Sequence, residues 1–522
     1  MNVLDDIVKT CSKEILEEKT NIKQILITLL SAWTDNPQNT RILAPSGEGK
    51  TYLVTKLANL FPQENVVILA KATPQSFKYA FSSTKVVENG PGIWQDFDVA
   101  LQPLEEDLEK TNDEEKRQEI KKQIKQLQDS VCDLVDFTNK IIILVDSQSF
   151  ELFESIKTTL SHDQHEIKSF SVNKSKSGTI FGQKFIIRGF PAVIYCSAKD
   201  EQKLDTTDEI NTRFNTISLN SSPKKYRKML ELEAIRSSLP DSMYQEEVIS
   251  YDEIEQLRKQ ILQIIDQVRN YGEVLNPYGI GLSKLFKDDA GLRTRQFKIL
   301  NSNISIHTIA NAKYRPKIIH DEVTVPIVTW TDIEESCNLT KEPREIQPYK
   351  IKFFNDHVRP AIFEHGKEKQ FVDGPIKCLT AGEIADILTK EVRTTDRQKI
   401  QETFLKPLAA HGFLEQYVDP ENKSRHIYTI SQTYVEKEAS IESTLIDTSA
   451  LDMSCVDVFV NEYIKKRFDY GTIKIFDKND KELTPSQLLD LLRQNVAQPP
   501  QNNHKMDIIE VSTSIERLGD LK

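Results

Sequence analysis

The stretch Arg41-Ile42-Leu43-Ala44-Pro45-Ser46-Gly47-Glu48-Gly49-Lys50-Thr51 decides the fold. A short apolar run enters a turn holding two glycines. The chain leaves it through TYLVTKLANLF (Thr51–Phe61), where Leu53, Leu57 and Leu60 recur at helical spacing. A turn of this composition lets successive backbone N–H groups converge on one anion, and Gly47 and Gly49 allow the dihedrals and close approach that this needs. The helix that follows offers its positive N-terminus to the same anion. The segment therefore predicts a strand, a phosphate-binding loop and a helix.

Ala44–Thr51 fits the P-loop pattern, with Ala44 in place of the usual first glycine. Pro45, Ser46, Gly47, Glu48, Gly49, Lys50 and Thr51 are the candidate ATP contacts. Lys50 would reach the β- and γ-phosphates, and Thr51 would hold Mg²⁺. The second half of such a site is an acid ending a buried strand, and Asp146 after KIIILV (Lys140–Val145) fits. The next residue is Ser147, where many ATPases place a glutamate that polarises the attacking water. Either Glu151, Glu154 or Asp163 supplies the base, or hydrolysis is slow. On its own, Asp146 also reads as a solvent-facing strand end.

Further strands are expected at NVVILA (Asn65–Ala70), PAVIYCSA (Pro191–Ala198) and TISL (Thr216–Leu219), and a helix at Phe150–Leu160. Strands alternating with helices imply an α/β fold with a parallel, three-layer core. Glu166–Gly189 reads as a hairpin around the basic turn NKSKSG. Residues 104–130 are densely charged, with Leu104, Leu108, Ile120, Ile124 and Leu127 at helix-like intervals. They predict an exposed helix or helical hairpin with a solvated face, an oligomer contact being the alternative.

The 522 residues are 38% hydrophobic and 28% charged, which excludes a mostly disordered chain. At roughly 150 residues per domain the length suggests about three domains. The net charge of −11 argues against a generally basic surface but leaves room for a local basic patch. No apolar run approaches the ~18–20 residues of a membrane helix, and the charged N-terminus does not read as a signal peptide. Six scattered cysteines form no CxxC pair, so reduced thiols and a cytoplasmic location are expected.

From the loop to Leu219 the order of elements resembles AAA+ ATPases. The resemblance implies a polar sensor on the next central strand, matched by Ser197, and an arginine finger reaching a neighbour's nucleotide, matched by Arg213 in NTRFNTISL. A local pair with Glu209 is the plainer reading of Arg213. Arg293 or Arg295 could supply a further sensor. A hairpin just before the sensor strand is similar to the helicase branch that includes MCM-type and superfamily 3 helicases, and to phage and mobile-element primase-helicases. There the hairpin grips DNA in a ring pore. Lys174, Lys176 and Lys184 would make the phosphate contacts, although lysines also protect an ordinary strand edge. No zinc-finger or primase motif accompanies the resemblance.

The remaining chain divides into a helical segment at 1–40, the ATPase core at 41–222, a helical lid at 223–315, a linker at 316–349, a compact unit at 350–432 and an extension of open role at 433–522. Prolines 316, 326, 343 and 348 suggest the linker. In 350–432, Thr380 and Glu383 form a capping box, Ile400, Phe404 and Leu408 share a helix face, and two strands follow. The order is similar to a winged helix. Arg397, Lys399 and Lys406 on the second helix, with Lys423 and Arg425 on the wing, are then candidate DNA contacts. Protein docking is the alternative. Together these features imply an AAA+-type ATPase acting on DNA, a helicase or initiator that forms a homo-oligomer, possible rings included. The alternative is a nucleotide-dependent switch or scaffold with weak hydrolysis and a protein partner.

Overall fold

The computed structural model describes residues 2–44, 46–90, 93–146, 148–161, 164–174, 180–197, 213–220, 223–286, 292–339, 348–371, 374–391, 397–410, 413–420, 422, 425–431 and 448–494. The chain divides into two compact units, one drawn from residues 2–272 and 342–443, the other from 273–341 and 444–522.

The first unit opens with α1 (Val3–Cys11), α2 (Lys19–Leu30), β1 (Asn39–Leu43), α3 (Lys50–Ala58), β2 (Val66–Leu69) and α4 (Pro74–Phe81). Next come β3 (Ser82–Glu88), β4 (Trp94–Asp96), α5 (Phe97–Lys110), α6 (Glu114–Ser130), β5 (Cys132–Asp136), β6 (Ile141–Leu144) and α7 (Phe150–Ser161). The series ends with β7 (Glu166–Lys174), β8 (Ile180–Arg188), β9 (Ala192–Ser197), β10 (Asn215–Ser218), α8 (Pro223–Ser238), α9 (Asp241–Val248) and α10 (Tyr251–Tyr271).

A five-stranded sheet in the order β10-β1-β9-β6-β2 is parallel throughout. Its central strands β6 (IIIL) and β9 (AVIYCS) are buried along their whole length. Such unbroken apolar runs are what a strand covered on both faces requires. Leu43, Ile142, Leu144, Val193 and Tyr195 pack with Phe77 and Phe81 of α4 and Leu152, Phe153 and Ile156 of α7. The α/β expectation holds at this level, as a mixed α/β fold around a parallel sheet.

A second sheet, in the order β4-β3-β5-β8-β7, was not legible in the sequence. β7 and β8 are therefore part of a larger sheet, since β8 pairs in parallel with β5. The β7–β8 ladder runs from Glu166↔Arg188 to Lys174↔Ile180, whereas β5 meets only Phe185–Arg188. The outer half of the ribbon extends beyond that partner. Val135, Phe137, Phe185 and Ile187 join the core of the parallel sheet. Helices α5 and α6 form the inserted hairpin, and neither buries a residue.

Gly189 turns the chain from β8 towards β9 with φ of +72°, and a Cβ there would lie 2.6 Å from Thr138 Oγ1 and 2.8 Å from the Thr138 backbone nitrogen. Both the dihedral and the backbone clash oppose a side chain. Gly189→Ala is expected to destabilise the chain by about 2–4 kcal/mol in denaturant titration. A change within 0.5 kcal/mol, roughly the level of a neutral surface substitution, would contradict it.

Residues 348–431 also belong to the first unit. Helical segments Pro348–Phe353 and Arg359–His365 precede strands Lys367–Phe371 and Gly374–Thr380. Helix Ala381–Glu391 and a second helical stretch from Arg397 to Ala410 follow, the latter carrying a π turn at Gln401–Leu405. Strands Leu414–Val418 and His426–Ile430 complete an antiparallel four-stranded sheet, in which Gly374–Thr380 pairs with His426–Ile430. Thr380 and Glu383 exchange the capping-box bonds, at 2.8 and 3.2 Å. Ile400, Phe404 and Leu408 all enter the core with Ile384, Leu388 and Tyr428.

The second unit corrects three boundaries. The stretch expected to be a linker, 316–349, carries strands Lys317–His320 and Val323–Pro326 and helix Trp330–Leu339. Lys317–His320 pairs with Ile473–Phe476, so the expected C-terminal extension supplies half of one sheet. The expected lid at 223–315 is divided: α8 to α10 lie in the first unit, and helices Gly279–Ser283 and Leu292–Ala310 in the second. Proline density misled because Pro326 ends an edge strand, where no ladder donor is needed. The hairpin turn is Asp321-Glu322, both at positive φ, as a two-residue primed turn demands. An Asp-Glu pair carries none of the usual glycine signal.

The core of this unit contains Tyr278, Leu300, Ile304, Ile327, Ile333, Ile475 and Leu488. It also holds a polar centre: Asp332, fully buried, accepts bonds from His307, Arg315 and Thr329. Among the described residues, no helix is long and apolar enough to cross a membrane, and no His, Cys, Asp and Glu cluster could hold a metal.

Candidate functional site

All five strands of the parallel sheet point the same way, so their carboxyl ends share one edge. Ligands in open α/β sheets bind outside that edge, where the strand order reverses. Here β1 lies between β10 and β9, and β6 lies on the far side of β9. Residues following Leu43, Leu144 and Ser197 therefore meet at one edge, with Leu43 opposite Ser197 and Leu144 opposite Tyr195.

The loop after β1 is drawn by its glycines. Gly47 has φ of +90° and Gly49 +86°, and a Cβ at either would meet nothing within 4 Å, so the open side of the turn faces free space. Gly49 caps α3, whose first residue is Lys50. Lys50 is buried, and its Nζ donates to the Ala44 carbonyl at 2.6 Å, closing the loop. Burial holds the Lys50 ammonium below its usual pKa, while the nearby Cys196 and Glu48 oppose that shift. Thr51 is exposed at the start of α3.

Asp146, two residues beyond β6, is exposed. On the neighbouring strand β9, Cys196 follows Tyr195, the register partner of Leu144. Burial pushes that thiol up to about 12, while the Lys50 charge lowers it and the Asp146 charge raises it. Both charges thus act on one side chain at the end of β9. Ser197, next in the chain, is buried, and its carbonyl accepts from the Ala44 amide at 3.4 Å.

Sequence reasoning missed Gln148. Its amide donates to the carbonyls of Ala70 and Asp146, at 3.0 and 2.8 Å, and accepts from the Ala72 amide at 3.0 Å. It ties the chain after β2 to the chain after β6 and so fixes the Asp146 turn. An amide two residues past a strand carries no local signal for that task. Of the candidate bases, Glu151 is exposed and Glu154 lies 3.8 Å from Lys157. Pro45, Ser147, Asp163 and Glu209 lie outside the described residues.

Arg213 donates to the main-chain carbonyl of Lys157 in α7. Arg295 is exposed on helix Leu292–Ala310 of the second unit; the Arg293 side chain lies outside the described residues.

Of the candidate DNA contacts, Lys184 donates to the Asp129 carbonyl at the end of α6, at 3.1 Å. Lys406 pairs with Glu402 at 2.7 Å. Arg397 and Arg425 are exposed, Arg397 lying against Gly382. Lys176, Lys423 and the side chains of Lys174 and Lys399 lie outside the described residues.

The donor set fits a magnesium–triphosphate. Thr51 offers a hydroxyl and Asp146 a carboxylate, the hard oxygens that Mg²⁺ takes, and the loop glycines leave open space for the anion.

No family model matches the chain, and no curated protein matches it. Among solved structures the chain is similar to a RuvB mutant from Thermotoga maritima, at 10% identity and a TM-score of 0.23, across 80% of this chain and 94% of that one. That likeness is too slight to bear on fold or function.

Proposed function

We propose that the chain is a P-loop ATPase of the AAA+ type that acts on DNA. One observation carries this most: the glycine-built loop that ends in Lys50 follows β1, and Asp146 follows β6, so both stand at the same carboxyl edge of the parallel sheet on either side of β9. Lys50 would neutralise the β- and γ-phosphates, and the loop N–H groups would orient them. Thr51 and Asp146 would hold Mg²⁺, which when bound supplies charge neutralisation at the phosphates. Ser197 ends the strand between the loop and Asp146, a position suited to a polar sensor.

DNA as the substrate draws on the basic sequence between β7 and β8 and on the described helices and paired strands of residues 348–431, which support a winged-helix reading. Arg397, Lys399, Lys406, Lys423 and Arg425 would touch phosphates there, and Lys174, Lys176 and Lys184 at the ribbon. An arginine finger at Arg213 would require release from the Lys157 carbonyl and a neighbouring copy of the chain.

A switch that binds ATP and turns it over slowly is the second reading, favoured by Ser147 directly after Asp146. Steady-state MgATP turnover, with and without single-stranded and forked DNA, separates the two. A DNA motor is expected to gain several-fold in turnover with DNA and to assemble in native mass spectra. Tight MgATP uptake with turnover indifferent to DNA would rule out the motor and leave the switch.

A further inference from the structure

Glu48 is out of place in a loop built to hold an anion. It stands between Gly47 and Gly49, where a carboxylate repels the triphosphate that the loop N–H groups attract. Helix α8 takes up that charge. Tyr226 donates its hydroxyl to Glu48 Oε1 at 2.5 Å. Lys225 Nζ donates to the Glu48 carbonyl at 3.2 Å and lies 3.8 Å from Oε2. Oε2 itself is buried and has no hydrogen-bond partner among the described residues, so charge alone compensates it.

Three distant segments meet at Lys225. Its ammonium also bonds Glu18 at 2.8 Å, and both side chains are only 4% exposed. Glu18 accepts in turn from the Asn220 amide at 2.8 Å and the Asn21 side chain at 2.5 Å. A single buried cation thus joins the turn before α2, the phosphate loop and the first turn of α8. Two carboxylates share it, and each leans on it because burial makes an unpaired charge expensive.

Building on the nucleotide site argued above, we propose that Lys225 and Tyr226 form a latch that holds the Glu48 carboxylate out of the phosphate path, and so couples occupancy of the loop to the position of α8. Lys225 is a positioning residue: it acts on the ligand through Glu48. Coupling is reciprocal, so a nucleotide that needs Glu48 held back favours the α8 position that holds it. The nucleotide state of the loop is thereby passed to a helix that is otherwise almost wholly solvent-facing.

The test is a double-mutant cycle on the full chain, read by calorimetric MgATP titration and by amide exchange in α8. Lys225→Met is expected to weaken MgATP binding by about tenfold or more, and Glu48→Gln to tighten it by about threefold, coupling of the size typical between linked sites. In the double variant the loss from Lys225→Met should shrink to within about threefold, because the charge that needed holding is gone. Any stability lost by stranding Glu18 is common to both backgrounds and cancels in the cycle. MgATP should slow exchange in α8 of the wild type more than in Glu48→Gln. If Lys225→Met does not fold, Tyr226→Phe carries the same cycle, with a loss of about three- to fivefold that vanishes beside Glu48→Gln. An equal loss with and without Glu48→Gln overturns the latch and leaves the nucleotide site standing. A wild-type chain that takes up no MgATP overturns both.

Discussion

Lys50→Ala is expected to lower MgATP turnover by at least about a hundredfold, the scale on which one preorganised charge-stabilising donor acts in a closed site. Lys50 is the first residue of α3, and burial holds it where its ammonium is costly to keep. A lysine whose folded pKa is depressed does not stabilise the fold. Its charged form is penalised below the unfolded pKa, and the penalty fades as pH rises through the folded value. Removing the side chain therefore relieves a cost while leaving the Ala44 carbonyl without this donor, which costs about 1 kcal/mol. The two effects oppose each other, so denaturation midpoints of variant and wild type should nearly coincide. Loss of turnover at unchanged stability is the signature of a residue kept for its ligand. A variant with wild-type turnover would remove Lys50 from the chemistry, and the assignment of the loop with it.

Gln148 and the Asp146 turn bear on the same result. The Asp146 carboxylate is exposed, but its backbone carbonyl is held by Gln148, which also bridges to Ala70 and Ala72. The acid is thus exposed in its side chain and fixed in its main chain, an arrangement that would suit the magnesium ligand proposed for it.

The loop and the parallel strands were legible because their signals are local. Gly47, Gly49 and Lys50 lie within four residues, and short, β-branched apolar runs such as IIIL and AVIYCS are what strands of a doubly covered sheet look like. The second sheet was illegible for the opposite reason. β4 is three residues long, and β3 carries polar residues and a register shift between Ser82 and Thr84. Its strands gain their identity from partners far along the chain, as β5 does from β8. The division of the chain was hidden by the same kind of distance, since Lys317–His320 finds its neighbour at Ile473–Phe476. At the candidate site, Lys50 and Asp146 could be named from pattern. The contact of Glu48 with Lys225 could not, because 177 residues separate the two.

Asp332→Ala is expected to cost the second unit about 3–5 kcal/mol, the usual consequence of removing one partner from a buried ionic network. Asp332 is fully buried and accepts from His307 Nδ1 at 2.9 Å, Arg315 Nε at 2.7 Å, Arg315 Nη2 at 2.5 Å, and the Thr329 amide and hydroxyl at 2.9 and 2.8 Å. Burial by itself would raise its pKa; bonds from His307 and Arg315, and the Arg315 charge, outweigh burial and hold the carboxyl well below the usual carboxylate range. Truncation strands the Arg315 guanidinium, itself buried. The sign of the pH dependence follows from the depressed value. Above the unfolded pKa of about 3.9 the stabilisation is complete, and it is lost progressively as pH falls below that towards the folded value. The gap between wild type and Asp332→Ala should therefore be constant near neutrality and narrow below about pH 4. Denaturant titration across that range measures it, with amide exchange in residues 292–339 and 448–494 locating the loss. A gap that stays below about 0.5 kcal/mol at pH 7 would show that Arg315 finds other partners and that Asp332 is dispensable.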